Sequence, residues 1–225
     1  MLSQVNGLYI PGDAPSILEN EWYMAAVKTV YMWAQSHNSE SDNSKHFPVV
    51  ATGYGYLAMM MVGMKSHDTI EVVPEERIFA SMELNLRLKP EDTYTLDGLS
   101  LKEAESILNN MTFFNELVYG IPLKHFLQEI TLSKVFVPVA TYNNDRADQD
   151  EEFIAIVEGA HFPFFGIAFS VDRFQFNDNL AIEEDIDHSK VAVKLAQRLA
   201  NLFVDEARLS TNVFTMPRDE YKALI

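Results

Sequence analysis

The chain has 225 residues, 48% of them hydrophobic, which is enough for one large domain or a tight pair at about 150 residues per domain. Lys and Arg total 17 against 33 Asp and Glu, a net charge of −16. That balance argues against a nucleic-acid role, which needs basic surface to displace condensed counterions, and it repels anionic bilayers. The longest apolar stretches, such as Leu57–Met64, fall far short of the ~20 residues of a spanning helix. The segment after Met1 lacks the basic-then-apolar order of a signal peptide. There are no cysteines, so disulfides, thiolate zinc sites, iron–sulfur ligation and a thiol nucleophile within the chain are excluded together.

Val5–Ile10, closed by Pro11-Gly12-Asp13, reads as a strand running into a loop. From about Ser16 to Gln35, Trp22, Ala26, Val30 and Trp33 recur at three- and four-residue steps, which predicts an amphipathic helix. Glu19 and Glu21 near its start suit the helix dipole. A polar loop over His37 to Lys45 leads to a β-branched run, Phe47–Thr52, ending in Gly53-Tyr54-Gly55. Tyr56–Met64 is apolar on nearly every side and predicts a buried helix. This strand–helix–strand–helix order points to a parallel sheet covered by helices.

The middle of the chain is less regular. Thr69–Val73, Asn85–Leu88 and Thr131–Val139 have strand character, while Leu101–Leu108 and Asn115–Gly120 read as short helices. The charged segment Asn143–Glu152 reads as an exposed tip before two further strands, Phe153–Val157 and Phe164–Phe169, separated by Glu158-Gly159-Ala160. Lys190–Arg208 carries Val191, Leu195, Leu199, Leu202 and Phe203 on one face, the pattern of a packed amphipathic helix. With no repeat and no low-complexity linker, the expectation is a single α/β domain over 1–225, with 209–225 as a tail.

Three segments carry more than secondary structure: Gly7–Asp13, a strand entering a Pro-Gly loop; Phe47–Tyr56, a strand, a tight glycine turn and a helix; and Phe162–Arg173, a strand with a polar end. In this order and spacing the chain resembles the γ-glutamyl hydrolase family, a branch of the flavodoxin-like, class I glutamine amidotransferase-like fold, a three-layer α/β sandwich. Ser189–Arg208 is similar to that family's closing helix. The resemblance implies cleavage of γ-linked glutamate from folate polyglutamates. It implies a cysteine on a strand-to-helix elbow, a histidine at the end of a later strand, and an acidic residue two positions beyond it that orients the ring. No metal or cofactor is implied, and the family's setting implies a lysosomal, vacuolar or secreted location.

The chain departs from that pattern at the decisive positions. The elbow residue falls on Gly53 and the histidine on Ser170; only the acid is kept, as Asp172. The loop glycine that helps form the family's oxyanion site is Asp13, following Gly12, and a carboxylate there repels a developing oxyanion. Tyr54 and Gln128 complete the expected former cleft, Gln128 in place of a substrate-binding histidine. Thr52 or Ser170 as a substitute nucleophile needs an activating base, and no histidine adjoins either in sequence; His161 lies at the far side of the strand Phe164–Phe169.

Other patterns are weaker. The acidic runs Asp148–Glu152 and Glu183–Asp187 read better as solvated loops than as cation ligands, since neither has calcium-loop spacing. Met59–Met61 and Met64 read as core filling. Asn110-Met111-Thr112 fits a glycosylation sequon, and Gly53-Tyr54-Gly55 lacks the lysine of a phosphate loop.

Family members precede the Pro-Gly strand with a strand–helix–strand unit, whereas only Met1–Gln4 precede Val5 here. Three readings stay open: a truncated gene model, a partner chain that supplies the cover, or a shortened sheet protected by loops. The expectation taken forward is an apolar Val5–Ile10 strand at a sheet edge, covered by a protein partner or a second copy. The combined reading is an inactive hydrolase-like protein serving as an accessory subunit. The alternatives are a module that binds a γ-glutamyl or folate-like ligand, or an active hydrolase with a displaced nucleophile.

Overall fold

The structure is a computed structural model, describing residues 2–39, 45–64, 73–74, 84–110, 117–143, 152–171, 188–216, 218 and 220–221. The front half alternates strand and helix: β1 (Leu8–Ile10), α1 (Glu21–Asn38), β2 (Val49–Thr52) and α2 (Tyr54–Gly63). Next come β3 (Val73–Pro74), β4 (Leu84–Leu86), α3 (Leu101–Asn110), β5 (Tyr119–Gly120), α4 (Leu123–Gln128) and α5 (Ile130–Val135). The chain continues through β6 (Phe136–Asn143), β7 (Glu152–Gly159), β8 (Phe164–Ile167) and α6 (Lys190–Arg208).

Six strands form one mixed sheet in the order β1-β2-β8-β7-β6-β4. β1, β2 and β8 run parallel, with Ile10 opposite Ala51 and Thr52 opposite Ile167, whereas β7, β6 and β4 are antiparallel to their neighbours. β3 and β5 pair separately. Strand alternation sends side chains into two helical layers. Ile10, Val49, Ala51 and Phe164 pack with α1, α2, α4 and α5 on one face, and Val50, Phe165 and Leu202 pack on the other. That second face also holds the cluster of α6 residues Leu195 and Leu199 with Val139, Ile167 and Phe169. The expected three-layer arrangement, with the three motif-bearing strands side by side, is what the sheet order gives.

Local chemistry explains the boundaries. Pro15–Glu19 forms a 3₁₀ turn, and α1 begins only after Asn20, whose Oδ1 accepts the amides of Trp22 and Tyr23 at 3.0 Å. The helix expected from Ser16 is thus two elements. Tyr54–Met60 are all buried, so α2 is the central helix that its all-round apolarity predicts. Three further expectations are corrected. Val5–Ile10 is strand only from Leu8, because Leu2–Gln4 form a 3₁₀ turn. Thr131–Val139 is not one strand: Glu129 caps a helical turn by accepting the Thr131 amide, so α5 runs to Val135 and the strand starts at Phe136. The described end of Asn115–Gly120 is a strand paired with Val73–Pro74, not a helix. Most of Thr69–Val73 and of the Asn143–Glu152 tip lies outside the described residues. Among the described residues no helix is long and apolar enough to cross a membrane.

Candidate functional site

The parallel strands β1, β2 and β8 end together, and the loops that follow them bring the motif residues to one pole of the sheet. β2 turns into α2 through Gly53, at φ 57° and ψ −131°, a combination that a residue with a Cβ adopts only under strain. Its amide donates to the Ile167 carbonyl at 3.0 Å, and its carbonyl accepts from Tyr56 at 3.1 Å, so the elbow is tied to both β8 and the first turn of α2.

The Pro11-Gly12 loop closes directly onto this elbow. The Tyr54 amide donates to the Gly12 carbonyl at 3.0 Å. In a strand-to-helix elbow the amide after the nucleophile position is the one that stabilises an oxyanion, and here a backbone carbonyl occupies it. A Cβ built on Gly53 falls well inside 3.0 Å of that same Gly12 oxygen, nearer than real Cβ atoms approach. One on Gly12 overlaps the Gly55 nitrogen in the same way, and one on Gly55 overlaps the Ile10 oxygen. Backbone packs on backbone at all three glycines, and at Gly53 the Gly12 carbonyl lies where the Cβ of a nucleophile would stand.

Asp13 is exposed beside this contact. Tyr23 donates from its hydroxyl to the Pro11 carbonyl at 2.9 Å, and its phenol is held above the usual range by burial and then by the Asp13 charge. Tyr54 is 1% exposed and its hydroxyl accepts the Val118 amide at 3.0 Å, which makes it a core residue under the elbow. The Thr52 hydroxyl shares a 2.7 Å hydrogen bond with the Tyr9 hydroxyl. Ser170 is half-buried three residues beyond β8, at the same pole as Gly53. Asp172 lies outside the described residues. Gln128 is exposed at the last residue of α4, with no hydrogen bond to Gly12, Gly53 or Ser170 among the described residues.

No histidine among the described residues is hydrogen-bonded to Thr52 or Ser170. His46 bonds Glu206 at 2.8 Å. His37 stacks on Trp33, and its pKa is lowered by burial and then by the charge of Lys45. Among the described residues no group of three or more His, Cys, Asp or Glu is placed to hold a metal ion. The run Glu183–Asp187 lies outside them, as does Asp148–Glu151, while Glu152 pairs with Arg87 at 3.3 Å. Sequence reasoning found the elbow but missed the Gly12–Tyr54 bond, a tertiary contact whose only sequence signal is the glycine at each of positions 12, 53 and 55.

The fold has a solved counterpart: a candidate GMP synthase component from Thermoplasma acidophilum superposes with a TM-score of 0.50 at 13% identity, covering 91% of this chain and 75% of that one. The parallel strands, the elbow and this likeness define the class I glutamine amidotransferase-like fold. No protein-family model matches the chain. Among curated proteins it is 23% identical over 225 residues to γ-glutamyl hydrolase B of Dictyostelium discoideum, covering 100% of this chain and 62% of that protein. It is 26% identical over 231 residues to the human γ-glutamyl hydrolase, with 100% and 67% coverage. It is 24% identical over 216 residues to γ-glutamyl hydrolase 2 of Arabidopsis thaliana, with 94% and 57% coverage. Within its fold, the chain is similar in sequence to γ-glutamyl hydrolases. It spans between 57% and 67% of the length of these three relatives.

Proposed function

We propose that this chain is a catalytically inactive γ-glutamyl hydrolase relative that acts as a structural or accessory subunit of a protein assembly. The observation that carries the reading is the closed elbow: Gly53 offers no nucleophile, and the Tyr54 amide is bonded to the Gly12 carbonyl. The chain has no cysteine to supply the thiol from elsewhere, and Ser170 has no proton-transfer chemistry near neutral pH. The Tyr54 amide, already bonded to Gly12, has no proton left for a γ-glutamyl carbonyl at the elbow, which favours a subunit over a module that keeps the old ligand.

The subunit half of the reading is supported by the β1 edge. The Leu8 amide donates to Pro48 at 2.9 Å, so the amide and carbonyl of Tyr9 face away from β2, and β1 has no other strand neighbour among the described residues. Tyr9 is 46% exposed. The segment after α6 returns beside this edge, with Asn212 donating to the Val5 carbonyl at 2.9 Å and Gln4 to Thr215 at 3.0 Å. It places Val213 and Met216, 75% and 61% exposed, in the same region. An open strand flanked by apolar side chains is a surface that proteins cover. Hydrogen exchange on the isolated protein and on its native assembly tests the proposal. The Tyr9 amide should gain protection in the assembly; equal exchange in both states, with the isolated protein a soluble monomer, would remove the support for a partner at this edge.

A further inference from the structure

Helix α1 carries two seams. Its inner side, Val27, Tyr31 and Ala34, is buried in the cluster that covers the sheet. Its outer side presents Trp22, Ala25, Thr29, Met32 and Ser36, all exposed. These follow one another at steps of three, four, three and four residues, the spacing of a contact between two helices. We propose that this outer seam docks a second copy of the chain, the two α1 helices meeting antiparallel across a two-fold axis level with Val27. The seam points away from the sheet, so it is separate from the β1 edge, and the proposal is independent of whether the elbow is active.

The seam is complementary to itself. Antiparallel pairing about that axis sets Trp22 of one copy against Met32 of the other, and Ala25 against Thr29. Each contact is made twice, as an isologous interface requires. Small side chains meet at the centre, where they let two helix backbones approach, and the large ones close both ends. Trp22 is 88% exposed and Met32 58% exposed, at surface positions where a charged side chain would serve an isolated domain. A flexible thioether against an indole ring is a favourable pair. The Thr29 hydroxyl donates to the Ala25 carbonyl at 2.7 Å, so its polar atom is satisfied within the helix and needs no water at a dry contact.

Charge selects the same face. Two copies at −16 each repel, and they approach most readily where neither carries net charge. The 18 residues of α1 contain one acid, Glu21, and one Lys or Arg, Lys28, and Lys28 stands at the rim of the seam. Repulsion between the remaining surfaces is screened beyond about 8 Å at physiological ionic strength, whereas the gain from burying Trp22 and Met32 is not. A basic partner would instead need acids along the seam, and its five positions hold none.

The helix is also fixed before contact. Asn20 caps its first turn through the Trp22 and Tyr23 amides at 3.0 Å. The Asn38 side chain ties its last turn to the Phe47 amide and carbonyl at 2.9 Å. Little ordering cost therefore remains on docking. A contact two heptads long is at the small end of specific interfaces, below about 1,200 Å², which sets the expected affinity in the micromolar range.

The test is sedimentation of the intact protein from about 1 to 300 µM. A monomer–dimer equilibrium is expected with a dissociation constant of about 10–100 µM, tightening as salt is raised, because screening relieves the like-charge repulsion. Ala25→Glu should abolish the dimer, and Trp22→Ala should weaken it at least about 30-fold, the scale of an interface hot spot. Both positions are exposed, so circular dichroism should be unchanged. Val213→Glu, in the segment beside β1, should leave the dimer intact. Because the chain has no cysteine, spin labels on Lys28→Cys and Ser36→Cys read the geometry. A short separation is expected for Lys28→Cys, near the axis, and one of about 27 Å or more for Ser36→Cys. A protein monomeric throughout this range, a dimer indifferent to Ala25→Glu and Trp22→Ala, a dimer dissolved by Val213→Glu or loosened by salt, or short separations at both labels would each overturn the proposal.

Discussion

Replacing Gly53 by alanine tests the closed elbow through its energetics. The new methyl group must accept φ 57°, a strained region worth about 1–3 kcal/mol for a residue with a Cβ. It also overlaps the Gly12 oxygen. Relieving that overlap displaces the Pro11-Gly12 loop, at about 1–3 kcal/mol for overpacking. Alanine regains about 0.4–1 kcal/mol by restricting the unfolded chain. The net expectation is a loss of about 2–4 kcal/mol, or roughly 4–16 °C in melting temperature for a chain of this size. Gly98 supplies the control, because it has φ 81° but nothing within 4 Å of its built Cβ; Gly98→Ala carries only the strain. Urea unfolding of both variants, compared at constant slope, separates the two contributions. If Gly53→Ala costs no more than Gly98→Ala, the Gly12 carbonyl is not packed against the elbow and the structural argument for closure fails.

Two further outcomes follow from buried and bridging carboxylates. Glu158→Ala leaves the Tyr94 and Thr95 amides and the Thr95 hydroxyl without their acceptor; a loss of about 2–4 kcal/mol is expected from stranded donors, with faster amide exchange at 93–96 as the readout. Glu103 is held down to about 2 by its bond to Lys194 and then by those from Ser100, below the ordinary 4.5. Its folded pKa is depressed, so its stabilisation is present above 4.5 and is lost as pH falls through that value toward the folded one. The stability gap between the wild type and Glu103→Gln should therefore close between about pH 5 and pH 2, as read by urea midpoints; a gap that widens on acidification would contradict the pairing.

Most of the architecture was legible in the sequence where one local rule governed. α6 spans Lys190–Arg208, as its three- and four-residue apolar spacing predicts, and α2 is buried all round. The sequence misled where two local signals competed. In Thr131–Val139 the β-branched run masked the Glu129 cap that makes its first half helical. At the described end of Asn115–Gly120 a helical composition yielded to pairing of Tyr119–Gly120 with Val73–Pro74. The Val5–Ile10 edge proved shorter than its apolar composition predicts, since the Leu2–Gln4 turn and the Asn212 bond take up its first residues. At the site, the missing thiol is visible in composition alone. The Gly12 carbonyl on the Tyr54 amide is not, because it joins segments 42 residues apart.

The central claim is that the elbow no longer performs acyl transfer. The direct measurement is hydrolysis of a γ-linked polyglutamylated folate by the purified protein, with released glutamate quantified against a buffer blank and an active γ-glutamyl hydrolase. Loss of nucleophile and base together removes on the order of 10⁶-fold in such units, so glutamate release should be indistinguishable from the blank, and Gly53→Cys alone should not restore it, because Ser170 cannot serve as the base that activates the thiol. Turnover above the blank that Thr52→Ala or Ser170→Ala abolishes would contradict the account.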